Sequence, residues 1–160
     1  MKDKIYALMS ILVLMIINHV IVPPLGYSFV TPYSPIAGII YWLVKKKELI
    51  TNLNIFILGL FNDLTFSTPI GSSIIIYAII KFFFLFVEGK IVNNSIFLIT
   101  FKSFLGITLY YSLTYTFIII YYKKYPSINY FIMSYLLTLF IFPIIYIIFN
   151  WIFTNKKLEE

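Results

Sequence analysis

The chain has 160 residues, of which 61% are hydrophobic and only 11% charged. A soluble domain covers its surface with about a quarter charged residues, so an ordinary water-soluble globule is excluded and lipid becomes the expected solvent. Cysteine is absent, which excludes disulfides and thiolate metal sites. The net charge of +6 comes from lysine alone, and no basic face alternates with aromatics as nucleic-acid binding requires.

In chain order, a basic head (Lys2, Lys4) precedes an apolar run over residues 5–22, long enough for a membrane helix. A signal peptide begins the same way, but no small-x-small cleavage site follows, so the run reads as a retained helix with its N-terminus inside. Pro23 and Pro24 end it, because proline cannot continue the hydrogen-bond ladder. Gly26, Pro32 and Pro35 mark an uncharged loop. A short second span covers residues 30–44, with regular helix expected from about Ser34. It needs tilt or an irregular start. Trp42 near its end suits an interfacial anchor, and KKKE (residues 45–48) is a cytoplasmic stop.

The third span covers residues 49–64 and opens with a polar turn, Thr51, Asn52 and Asn54. A hairpin leads into the fourth span, 72–87, closed by Glu88–Lys90. After a loop at residues 93–95 comes the fifth span, 103–122, bounded by Lys102 and by the pair Lys123 and Lys124. The sixth, 130–153, holds Pro143, which predicts a kink. The tail is polar. The expected fold is all-α: one polytopic bundle of about six transmembrane helices, both termini cytoplasmic. Most lysines then obey the positive-inside rule, and Lys123 and Lys124 are the exception.

The distinguishing stretch is residues 59–71, GLFNDLTFSTPIG. It sets one carboxylate, Asp63, near the end of an apolar span. A carboxylate at the centre of a membrane helix costs about 2.5–3.5 kcal/mol, and far less near the interface. Asp63 can therefore serve as a contact residue or as a helix-end group accepting bonds from the freed N–H groups of the turn. Pro69 pre-sets one torsion and Gly71 permits positive φ. Ser67, Thr68, Ser72 and Ser73 can satisfy backbone groups where the ladder breaks. Lys81, inside the fourth span, can snorkel toward Glu88, line a crevice or pair with Asp63; at about 1.5 Å per residue it lies about 9 Å deeper, so the pair needs an irregular hairpin. Gly38, Gly59 and Gly106 allow close helix packing.

No enzyme is expected. His19 is the sole histidine and reads as a polar helix-end residue, and the spans offer no carboxylate cluster for a metal. No base is placed to activate a serine or threonine, and no phosphate-cradling loop is present. No cofactor is expected either.

Two stretches carry a resemblance. TPYSPIAGIIYWLVKKKE, residues 31–48, and GLFNDLTFSTPIG, residues 59–71, are similar to signatures of the MreD family of rod-shape-determining membrane proteins. Gly59, Leu60, Asp63, Pro69 and Gly71 match the second signature; Ile70 replaces a leucine, and Lys81 stands where a small or apolar residue is expected. The resemblance implies a non-enzymatic scaffold of the cell-elongation machinery in the bacterial inner membrane. Such a scaffold binds MreC, a single-span periplasmic protein, and helps to couple MreB filaments to peptidoglycan synthesis by RodA and a penicillin-binding protein. It also implies a fold similar to the substrate-binding subunits of ECF-type vitamin transporters. A solute-binding subunit of that kind is the rival reading. It calls for convergent polar groups and a small-x-x-x-small face on the first helix, where Ala7 is followed instead by Ile11.

Overall fold

The computed structural model describes residues 2–20, 30–88 and 96–155. Pro23, Pro24, Gly26, Lys90, residues 93–95 and the tail from residue 156 lie outside the described residues. Six α-helices run through them: α1 (Lys2–Val20), α2 (Ser34–Lys46), α3 (Asn52–Phe66), α4 (Ser72–Glu88), α5 (Ile96–Tyr122) and α6 (Ile128–Asn155). A single 3-10 turn, Lys47–Leu49, joins α2 to α3. The fold is all-α, as the composition and spacing require.

Three helices, α1, α5 and α6, are long and apolar enough to cross a membrane. Their neighbours are shorter: α2 has 13 residues, α3 has 15 and α4 has 17, against the roughly 20 that span a bilayer core. Large apolar side chains nevertheless coat the outside, among them Met9, Val13, Phe82, Phe140, Ile147 and Trp151. A coat of this extent belongs in an apolar medium, not in water.

The shortest of these helices is the centre of the bundle. Every residue of α2 from Ser34 to Leu43 is buried. It packs against α1, α5 and α6 and touches α4. Small residues make this possible. A Cβ at Gly38 would stand 2.7 Å from the Leu14 side chain of α1, and one at Gly106 on α5 would stand 2.8 Å from the Phe84 ring of α4. Gly59 is tighter still, because its Cβ would meet the Ile74 backbone at 2.7 Å, so α3 and α4 cross almost backbone to backbone. The three glycines act within the bundle.

Consecutive helices alternate in direction. At one end the start of α1, the end of α2 and the start of α3 meet. Thr51 caps α3 by accepting the Asn54 N–H, and the buried Asn54 amide donates to the carbonyls of Leu49 and Lys4. Trp42 differs from expectation here. It is buried, donates its indole N–H to Ser10 at 3.0 Å and packs edge-on against Phe153. The reason is that α2 is surrounded by other helices, so its aromatics fill the core instead of marking an interface. Lys102 also differs: α5 starts at Ile96, so this lysine lies two turns inside the helix and is buried. The helix α6 begins at Ile128 and continues through Pro143.

These contacts set an order of sensitivity. Gly59→Ala should cost about 3 kcal/mol, the upper end for overpacking, because backbone must move. Gly71→Ala should cost about 1 kcal/mol, since φ there is +100° but nothing lies within 4 Å. Thermal unfolding in detergent checks this, and equal losses would contradict the close crossing.

Candidate functional site

The opposite end of the bundle holds the Asp63 turn. Helix α3 stops where Ser67 enters the left-handed region at φ 52°. The N–H groups of Ser67 and Thr68 both bond to the Asp63 carbonyl, the latter at 3.1 Å, so the helix ends in a Schellman-like cap. The Asp63 side chain then closes the turn. One carboxylate oxygen accepts from Thr68 Oγ1 (2.8 Å), Ser72 Oγ (3.0 Å) and the Ser73 N–H (3.1 Å); the other accepts from the Gly71 N–H (2.7 Å). Asp63 is only 1% exposed. Four donors around an acceptor-only group make its burial tolerable.

The neighbouring residue extends this polar ground inward. Asn62 donates its amide to Ser73 Oγ at 2.7 Å, and its carbonyl oxygen accepts the Tyr33 hydroxyl. That uses the only proton Tyr33 has, so the 2.6 Å contact between the hydroxyls of Tyr33 and Tyr77 must be donated by Tyr77. The Tyr33 ring stacks flat on Tyr110, with centroids 5.2 Å apart and planes 4° from parallel.

Tyr33 belongs to the non-helical segment leading into α2, and side chains from the surrounding helices hold that segment. Asn18 of α1 donates to the Pro32 carbonyl at 2.7 Å. Ser134 of α6 donates to the Thr31 carbonyl at 2.7 Å. Thr138, fully buried on α6, accepts the Tyr33 N–H at 2.9 Å and donates to the Ser134 carbonyl at 2.8 Å. Its remaining lone pair faces the Tyr111 hydroxyl at 2.7 Å. The short segment from Thr31 to Ser34 therefore gathers α1, α3, α4, α5 and α6.

The residues expected to matter are thus divided. Asp63, Pro69 and Gly71 share the turn, with the Pro69 carbonyl accepting the Ser72 N–H at 3.0 Å. Gly59 lies one helical turn below Asp63 at the α3–α4 crossing, and Leu60 is half-buried beside it. Lys81 does not join them. Its ammonium donates to Asn52 at 2.7 Å, at the far end of α3, so it snorkels away from Asp63 along the α3–α4 pair. Thr68 and Ser72 turn their hydroxyls to the Asp63 side chain. His19 is exposed and meets Phe66 edge-on at 5.9 Å. No group of three metal-ligating side chains occurs among the described residues. Asn62, Tyr33, Thr138 and Ser134 escaped the sequence reading. Asn62 was the legible one: it is an amide beside Asp63 in an otherwise apolar run.

Removing the carboxylate leaves two backbone N–H groups without an acceptor. Asp63→Ala should cost about 2–3 kcal/mol, taking about 0.6 kcal/mol for each of four bonds within a membrane. Asp63→Asn should cost less, because its oxygen can keep three donors while its amide faces only the Gly71 N–H. Denaturation in mixed micelles measures the pair; an Asn variant as damaged as the Ala variant would contradict this bonding pattern.

Compared with protein-family models, curated proteins and solved structures, the chain matches none.

Proposed function

We propose that this protein is a non-catalytic docking subunit of the bacterial cytoplasmic membrane, working in the cell-elongation machinery as the MreD family does. It would receive the single span of an MreC-like protein and help couple MreB filaments to the peptidoglycan synthases. The observation that carries this reading is the Asp63 turn. It coincides with the stretch on which the resemblance rests. Its carboxylate is buried and committed to four donors, which suits holding a shape and not exchanging protons with a substrate.

Along the two helices that meet at that turn, the outer surface is apolar and exposed. Leu53, Phe56 and Leu64 form a stripe on α3, and Ile75, Phe82 and Phe86 form one on α4. A partner helix can lie along such stripes, with packing as the main source of affinity. Lys2, Lys4 and Lys45–Lys47 gather at the far end of the bundle. The positive-inside rule assigns that end to the cytoplasm and the Asp63 turn to the outer side. The termini are then cytoplasmic.

The rival solute-binding reading draws on the buried hydroxyls around Tyr33. Those groups are matched with one another, which leaves few free to converge on a solute. On α1 the face carrying Ala7, Ile11 and Met15 is turned inward and buried, so it is not available to a coupling subunit.

Co-purification with an MreC-like single-span protein tests the proposal. Asp63→Ala should lower recovery several-fold at equal expression. Ile70→Ser changes the exposed tip of the turn without touching the carboxylate, and it should lower recovery while leaving the melting temperature unchanged. Wild-type recovery from both variants would count against the docking role, and nanomolar binding of a vitamin would favour the rival.

A further inference from the structure

Above the buried hydroxyls, α5 and α6 part to leave a cleft of about 310 Å³. Its walls include Tyr111, Ser112 and Tyr115 of α5, with Ile128, Phe131 and Tyr135 of α6. No wall residue is charged. The hydroxyls at its floor are already used: Thr108 donates to the Phe104 carbonyl at 2.8 Å and meets the Tyr135 hydroxyl at 3.0 Å, while Tyr111 is engaged with Ser134 and Thr138. The rest of the lining is mostly ring and aliphatic surface, which suits a hydrocarbon chain better than a polar solute.

The mouth has the opposite character. Tyr122 ends α5, and Lys123 turns the chain in the left-handed region at φ 50°, its N–H bonded to the Ile119 carbonyl at 3.0 Å. Lys123 and Lys124 are exposed in the five-residue connection that leads to Ile128, itself a wall residue. Nothing acidic offsets them among the described residues: Asp3, Glu48 and Glu88 belong to the other end of the bundle, and Asp63 is closed within its turn. The cleft runs from Thr108 to Tyr115 along α5, and the lysines follow about 12 Å beyond, by helix rise. These are also the two lysines that break the charge asymmetry of the rest of the chain.

We infer that this cleft and lysine pair form a binding site for an anionic phospholipid. One acyl chain lies between α5 and α6, and the phosphate sits against Lys123 and Lys124. The aromatic walls grip the chain near the interface, and the lysines select the headgroup. The site accounts for basic residues at the end where the positive-inside rule places few. It depends on the bundle lying in a bilayer and not on the identity of any protein partner.

Native mass spectrometry of the full chain released from mixed phosphatidylglycerol and phosphatidylcholine micelles tests the site. The wild type should retain one phosphatidylglycerol in preference to phosphatidylcholine. The double variant Lys123→Gln, Lys124→Gln should lose most of that preference, at about fivefold per lysine. Ser112→Trp fills the cleft and should remove the bound lipid while the lysines stay. Circular dichroism and melting temperature establish that both variants fold. Equal retention of both lipids by the wild type, or unchanged phosphatidylglycerol retention in either folded variant, overturns the proposal.

Discussion

A backbone amide or carbonyl inside a bilayer has no water to bond, so each break in a helix must be matched by protein. Two breaks define this molecule: the segment leading into α2 and the turn between α3 and α4. Both are matched by side chains. Thr138, Ser134 and Asn18 serve the first, and Asp63 serves the second. Asn62 joins the two, reaching Ser73 on one side and Tyr33 on the other. The arrangement is a polar layer near one end of the bundle, opposite the end where Asn54 bonds to Leu49 and Lys4.

The layer explains why a helix as short as α2 can be central. Thirteen residues rise only about 20 Å, too little to cross the bilayer core. The described chain before α2, residues 30–33, is not helical, and side chains of neighbouring helices bond to it. Glycines let those neighbours come close enough. At Gly59 the α3–α4 crossing places the two strands of the hairpin so near that Asp63 can reach the N–H groups of Gly71 and Ser73. Packing thus sets the distances, and hydrogen bonds fix the turn within them. One consequence is a turn whose tip is fixed by its own hydrogen bonds.

Much of this was readable from residue types. Apolar length and the lysine stops located the helices, and proline and glycine located the hairpin. Asp63 stood out because a carboxylate in an apolar run needs a reason. Its acceptor role in the turn followed from the donors around it. What the sequence could not yield was which faces meet. Tryptophan is common at interfaces, so Trp42 was expected there, yet a helix enclosed by others has no interface to mark. Lys102 looked like a span boundary because a charge usually ends an apolar run, while α5 begins two turns earlier. Tyr33 and Thr138 are separated by 105 residues, and neither type is distinctive among so many tyrosines and threonines. Such contacts depend on helix rotation and crossing, which local pattern does not encode.

Residue-resolved hydrogen exchange in lipid nanodiscs probes the central claim most directly. The amides of Tyr33, Gly71 and Ser73 lie outside or at the very start of helices, where exchange is ordinarily fast. Bonded to Thr138 and Asp63 inside the bundle, all three should exchange as slowly as the helical amides of α2. If they exchange at the rate of an open loop, the polar layer does not hold the chain, and the account of this fold is wrong.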